Sequence, residues 1–382
     1  MNNSNPLDPA VLLSSDAHRL TIQATLQPVA GIERFQPAGF PEIGHVIYDS
    51  PKLASDGRPD KVCIIDSAAS MANHLETVCL DGSFGATLAP ELAGLPYVEC
   101  VTDNSSGGGR RLVVTTLSEG HRLASSLFTD DRSRLIENGQ PGSKIFGTQL
   151  LDEFGLVDLG KRSHPLPQDW WNVFKTIFKY DPNSLVHGIL FPAMGIKISR
   201  VLTAHLEAFG AARVPSAGVK FDKLLMTTSG QPIFAVDEET AREIRATFVI
   251  DLALLRSFGR DGSGLSDAQK QFLLGFALWK IGRLLRKPFR YRSRCDLQLV
   301  DVRRADPGTD GTLKIEDFDI KVSDLLTNAF ESDTRDKDQR VTQVYWKADE
   351  IFRKAKEKAE TPEEGQPAGD EEEEETGETP GE

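Results

Sequence analysis

The 382-residue sequence has no apolar run of the length a bilayer crossing needs. Its start, Met1 to Ser14, has no basic segment leading into an apolar block, so no secretory leader is expected and a cytoplasmic protein is. Cysteine is scarce: Cys63, Cys79, Cys100 and Cys295 are the only four, and none forms a Cys-x-x-Cys pair. That argues against a zinc knuckle or a redox motif and leaves small buried hydrophobes. The seven histidines (His18, His45, His74, His121, His164, His187 and His205) lack metal-ligand spacing. A Gly-x-Ser-x-Gly elbow and a dinucleotide fingerprint are missing. The run from Gly107 to Arg111 lacks the Gly-Lys-Ser/Thr ending of a P-loop, so it reads as a flexible loop with a basic tip. No cofactor, no metal and no enzymatic activity are expected.

What is there is a large apolar complement, 39% of residues with 20 Phe, enough for a real core. The net charge of −13 looks wrong for a partner of nucleic acid, but it is unevenly spread. Residues 359–382 hold 11 acids and no base, and the remaining chain carries only −2. A near-neutral body can still bear a basic stripe, and the local field governs phosphate binding. Five consecutive glutamates, Glu371 to Glu375, mark that end as an acidic, disordered tail.

Along the chain, residues 1–17 read as polar and loose. Leu20, Ile22, Ala24 and Leu26 alternate with Arg19, Thr21, Gln23 and Thr25, a strand over 18–29. Lys61 to Asp66 reads as a short buried strand, with Ser67 capping a helix over 68–80. Residues 81–111 read as loop, 112–117 as a strand, 170–179 as a helix ending at Pro182, and 198–209 as a helix. Residues 247–255 read as a strand, 267–285 as a long helix stopped by Pro288, 289–300 as a strand, and 341–358 as a charged helix. The interleaved order suits an α+β fold: an antiparallel sheet with helices on one face. An RRM-like (ferredoxin-like) core needs four strands and two helices, so the expected organisation is one cored domain over 18–358 with large insertions, followed by the tail at 359–382.

The densest chemical signal is residues 280–294. Lys280, Arg283, Arg286, Lys287, Arg290, Arg292 and Arg294 are seven cations with no acid among them. At period two Arg290, Arg292 and Arg294 share one strand face, a row suited to fork onto successive phosphates. The opposing expectation is a solvated strand whose arginines pair with carboxylates. Arg34, Phe35 and Gln36 put a cation, a ring and an amide on one loop, able to hold phosphate and stack on a base, or else to anchor the loop through Phe35. Ser67, Ser70 and Asn73 stand at a helix start, where free N–H groups can seat phosphate, although Asp66 opposes it. His121 and Arg122 follow a strand and could also touch RNA.

Read together, Arg34–Phe40, Asp66–Glu76, Gly120–Ser125, Asp181–Gly188, Arg200–Ala208 with Ser216–Lys220, and Arg290–Leu297 resemble the backbone RAMP protein of type I-G (formerly I-U) CRISPR systems. The chain departs from that pattern at Ala217, where a glycine is expected before Gly218. The resemblance implies an RRM-derived palm with a finger-like helical insertion and a thumb hairpin. It implies a Cascade backbone subunit, several copies of which line one CRISPR RNA and present it for pairing with target DNA. Lys220 joins the RNA-binding candidates through this resemblance. Expected partners are the CRISPR RNA, target DNA through guide pairing, other copies of the chain, and the large and guide-processing subunits, with no membrane. Base pairing then reads sequence while the protein reads backbone. Two rival readings remain: a ribonuclease of type III kind using a loop aspartate (Asp103, Asp130 or Asp131), and a scaffold without direct RNA contact.

Overall fold

A computed structural model describes residues 5–40, 44–53, 57–81, 87–104, 108–157, 166–215, 238–306 and 309–351. The frame is an antiparallel sheet built on β1 (Arg19–Pro28), whose Leu20, Ile22, Ala24 and Leu26 are buried as the alternation predicts. β2 (Ile47–Leu53) and β3 (Pro59–Asp66) form a hairpin, and α1 (Ala68–Thr77) follows behind the N-cap Ser67. β4 (Tyr97–Asp103), β5 (Arg110–Thr115), β6 (Arg134–Glu137) and β7 (Gln140–Ile145) belong to a second sheet. α2 (Trp170–Tyr180) and α3 (Pro182–His187) lead to β8 (Leu202–Phe209). β9 (Glu243–Asp251), α4 (Asp267–Leu285), β10 (Phe289–Arg292), β11 (Cys295–Asp306), β12 (Thr309–Leu313) and β13 (Val341–Tyr345) complete the labelled set.

The main sheet runs β10-β11-β1-β9-β8-β3-β2, with β12 paired to β11. Its four central strands, β11-β1-β9-β8, are antiparallel neighbours. β1 reaches β8 through the α1–α3 region, and β9 reaches β11 through α4. The strand that follows each helical crossover therefore lies with one strand between it and the strand where the crossover began, a split β-α-β arrangement that occurs twice. The core lies on the face of Ile244, Ala246, Phe248 and Ile250 of β9 and Leu202, Ala204, Leu206 and Ala208 of β8. α4 is buried nearly all round from Phe272 to Leu285, as a helix apolar on every side must be. Ser266 and Gln269 close its start in a reciprocal capping box. Gly275 and Gly282 let other chain segments press onto it: a Cβ at these positions would sit 2.3 Å from Leu325 Cδ1 and 2.4 Å from Phe318 Cβ. Among the described residues no helix is long and apolar enough to cross a membrane.

Several expectations need correction. Residues 202–209, expected as helix, form β8, because Leu202, Ala204, Leu206 and Ala208 also fit period two and pairing on both sides overrides the helix preference of Ala, Leu and Glu. The final helix expected over 341–358 begins as β13, which pairs parallel with β4; residues 352–358 lie outside the described set. The loop expected over 81–111 contains β4, with Val98 and Cys100 fully buried. β9 stops at Asp251, whose carboxylate caps a short helix, Leu252–Arg256. The strand expected over 289–300 is a hairpin turning at Ser293 and Arg294. Within the stretch read as loose, Leu7 and Leu12 are buried and Asn5 donates to the Asp317 carbonyl at 2.9 Å. The acidic tail lies outside the described residues.

Candidate nucleic-acid interface

The seven cations of 280–294 are divided by the fold. Lys280 is fully buried on α4, its Nζ bonded to Asn183 Oδ1, 3.0 Å from His187 Nε2 and 4.0 Å above the Phe276 ring. Arg283 pairs with Asp81 at 2.6 Å and Glu91 at 3.4 Å, and Arg286 with Asp319 at 2.5 Å. Lys287 is exposed and forms no ion pair among the described residues.

The β10–β11 hairpin carries the rest. Arg290 is 72% exposed and pairs with Asp296 at 2.8 Å. Arg292 turns inward, its guanidinium 2.8 Å from Asp66 Oδ1. Arg294 sits in the turn at φ +59°, 58% exposed, with its guanidinium 4.0 Å from Glu238. The expected single-face row therefore does not form: a register shift separates Arg290 from Arg292, and Arg294 leaves the strand altogether.

Arg34 joins this edge from a two-residue strand, Arg34–Phe35, which pairs with Glu239 and Thr240 where a loop was expected. Its Nε donates to Glu238 at 2.7 Å, so one carboxylate serves both Arg34 and Arg294. Gln36 N–H donates to the Arg294 carbonyl at 3.0 Å, tying the two loops together. Phe35 is buried at 1% exposure, so it anchors the loop and cannot stack on a base. Arg34, Arg294, Glu238 and Asp296 rim a cleft of about 600 Å³ whose wall is Pro28, Val29, Ile32, Val214 and Pro215.

Asp66 organises the base of the hairpin. Its carboxylate accepts from His74 Nε2 at 2.7 Å and from the Ser67 N–H at 3.0 Å, besides Arg292. Burial pushes this carboxyl up, but hydrogen bonds from His74 and Ser70 and the charge of Arg292 outweigh that and hold it below its ordinary value. His74 stands edge-on to Phe289 and Tyr291, locking α1 against β10. The α1 start is capped internally, Ser67 Oγ taking the Ser70 N–H at 3.3 Å. Ser67 and Asn73 remain exposed beside it, with Ser70 half-buried.

Two candidates part company next. His121 is exposed and 3.3 Å from Glu119. Arg122 is buried and forks onto Glu76 at 2.6 and 2.9 Å, which removes it from any surface role. Lys220 lies outside the described residues. Asp103 accepts from Tyr345 at 2.5 Å, and Asp130 is gripped by Arg132 at 2.8 and 2.9 Å. Among the described residues no three His, Cys, Asp or Glu side chains converge as a metal site.

Sequence reasoning missed a polar network inside the core. Glu76 of α1 takes Arg122 and, at 2.6 Å, Asn183 of α3; Asn183 in turn takes Lys280 of α4. Asp181, fully buried, accepts from Ser184 at 2.5 Å, and its other oxygen has no partner among the described residues. Burial pushes the Asp181 carboxyl up to about 6 against the opposing pull of the Ser184 hydrogen bond. Burial, and then the charges of Lys280, Arg122 and Arg200, push His187 well below its usual value, so the imidazole is neutral near pH 7. Burial also lowers Lys280. The available signal was Asp181 to Gly188, too polar a run for an ordinary buried helix.

A family model described as CRISPR-associated protein GSU0053 matches residues 20–213, half of the chain. The chain belongs to that CRISPR-associated family. The matched region of this GSU0053-family protein includes Arg34, Asp66, α1, Arg122 and α3, whereas α4 and the β10–β11 hairpin lie beyond it. No curated protein matches the chain. Among solved structures, Csc2 of Thermofilum pendens aligns over 87% of this chain and 80% of its own, at 11% identity and a TM-score of 0.31, a likeness too slight to carry an argument.

Proposed function

We propose that this GSU0053-family chain is an RNA-binding backbone subunit of a multi-subunit type I-G interference complex in the cytoplasm. It holds the CRISPR RNA by its phosphates, polymerises with other copies along it, and presents it for pairing with target DNA alongside the large and guide-processing subunits. In this reading the β11-β1-β9-β8 sheet is an RRM-like palm; its strand order and its two split crossovers support that assignment. The chain supplies no chemistry of its own, so purified protein with magnesium or manganese is expected to leave guide, target RNA and target DNA intact.

The observation that carries the proposal is a set of loosely held cations: Arg34 and Arg294 on the cleft rim, Arg290 on the same hairpin as Arg294, and the exposed Lys287 just before that hairpin. Exposed ion pairs such as Arg290–Asp296 are worth little in water. A phosphate can therefore replace the resident carboxylate, because each guanidinium keeps its fork and exchanges one oxyanion for another. Arg292, held by the buried Asp66, braces the hairpin instead.

The test is a salt titration of single-strand RNA binding with Arg34→Ala, Arg290→Ala and Arg294→Ala. Each lost phosphate contact is expected to reduce the slope of log affinity against log salt by about 0.7. Affinity is expected to fall alike for RNAs of unrelated sequence. Wild-type slopes in all three folded variants would overturn the proposal, and losses confined to particular sequences would point to base readout.

A further inference from the structure

We propose that the cleft beneath Arg34 and Arg294 seats one nucleotide of a single-stranded RNA, with the base against the apolar wall and the phosphate in the place now held by the Glu238 carboxylate. This rests on the RNA-binding reading above and deepens it: it assigns a pocket for the base as well as the backbone, and a resident competitor for the phosphate.

Three observations carry it. First, two guanidiniums from separate segments, a short strand and a hairpin turn, converge on one carboxylate, Arg34 at 2.7 Å and Arg294 at 4.0 Å. That is a preformed oxyanion position, occupied by the chain's own acid. Second, the wall beside it is apolar and, among the described residues, open. Pro28, Val29, Ile32, Val214 and Pro215 face a space of about 600 Å³, and Ile32 is 47% exposed. A space of several hundred Å³ with an apolar wall and a few convergent polar groups is the usual form of a small-ligand site. A phosphodiester joined to a flat apolar ring matches an oxyanion position and an apolar wall in the same cleft; a simple anion would leave the wall unused. Third, Arg294 holds a left-handed backbone that costs a side-chain-bearing residue about 1–2 kcal/mol. A glycine would relieve that cost, and the Gln36 N–H bond to the Arg294 carbonyl holds the turn in place. The strain places the guanidinium over the cleft.

Glu238 then sets the affinity of the seat. Its carboxylate pairs with both arginines in the empty protein, offsetting one of their two charges, and must move aside when phosphate enters. Removing this rim charge is therefore expected to tighten binding.

The experiment compares wild type, Glu238→Gln and Ile32→Ala as full chains. Each is titrated with oligouridine and with a fully abasic strand of equal length, at fixed salt. Glu238→Gln is expected to bind both strands roughly two- to fivefold more tightly, the scale of one exposed ion pair. Wild type is expected to prefer oligouridine over the abasic strand by roughly fivefold or more, the scale of one base contact. Ile32→Ala, at an exposed position, is expected to lose most of that preference while keeping its affinity for the abasic strand. If wild type binds RNA but Glu238→Gln does not tighten, the phosphate assignment is overturned. If wild type or Ile32→Ala fails the abasic comparison, the base assignment is overturned. If wild type binds neither strand, the RNA-binding reading falls and the cleft with it.

Discussion

The molecule holds two sets of charges, and they obey opposite rules. Inside, Glu76, Arg122, Asn183 and Lys280 knit α1, the 122–124 turn, α3 and α4 through bonds no water can replace. At the edge, the exposed Arg34, Arg290 and Arg294 are paired with the partly buried Glu238 and Asp296. Both sets are salt-bridged, yet only the second can exchange its partners. A buried ion pair gains little over an apolar pair of the same shape, but losing one member leaves a stranded charge. An exposed pair is close to neutral either way. Ion pairing alone therefore does not separate arginines that can exchange partners from those that cannot; burial does.

The sharpest break of this comparison is Arg122→Met. It leaves Glu76 buried with Asn183 as its remaining partner, and the expected loss is about 3–5 kcal/mol of unfolding free energy. The double variant Glu76→Leu/Arg122→Met should recover part of that loss, a coupling read from a denaturant-unfolding cycle. A loss below about 1 kcal/mol for the single variant would show that water reaches the network.

The pH dependence of the interior comes next, and its two titrating groups oppose each other. His187 has its folded value pushed down, so its contribution is complete above about 6.5, the ordinary histidine value, and is lost as pH falls below it, because only the unfolded chain takes the proton. The slope approaches about 1.4 kcal/mol per pH unit for one proton. Asp181 has its folded value raised to about 6, so its contribution is complete below the ordinary carboxylate range and is lost as pH rises through 6. Thermal unfolding of His187→Gln at pH 7.5, 6 and 5 should therefore lose the acid-side decline and expose the Asp181 trend, more stable toward acid. An unchanged profile would mean that the network opens before it titrates.

How much of this was legible beforehand follows the same division. The alternation in β1 and the cap before α1 are local patterns, and both elements form where the sequence places them. β8 was hidden because Ala, Leu and Glu favour helix, and only its neighbours on both sides make it a strand. The cation run at 280–294 is local as well, but what each cation does is not. Lys280 meets Asn183 across 97 residues and Arg292 meets Asp66 across 226, distances no local pattern spans. Arg122 was offered as a surface candidate for the same reason, since Glu76 stands 46 residues away. Lys287 and Arg290 remain at the surface because Pro288 ends α4 and turns the chain out of the core.

A smaller effect tests the edge from the side of stability. Arg294→Gly removes a cation from the cleft and relieves its left-handed backbone. It is expected to raise unfolding free energy by up to about 1 kcal/mol while weakening RNA binding. Opposite signs in the two measurements are the mark of a residue kept for function at a cost in stability. If stability falls as well, the Arg294 side chain supports the turn and the residue is structural.

The smallest expected effect lies in the stability of Lys287→Ala and Arg290→Ala. Both side chains are exposed, and among the described residues Arg290 has only Asp296 as its ion-pair partner. Each substitution should change unfolding free energy by no more than about 0.5 kcal/mol. Each should still reduce the salt slope of RNA binding by about 0.7, because one phosphate loses its cation. The two should differ in one respect. Lys287 meets phosphate without first giving up a carboxylate, whereas Arg290 must release Asp296. Asp296→Asn should therefore strengthen binding in a background that keeps Arg290 and do nothing in Arg290→Ala. Equal gains in both backgrounds would mean that Asp296 repels RNA directly instead of holding Arg290, and the exchange of partners proposed for this edge would then not operate at Arg290.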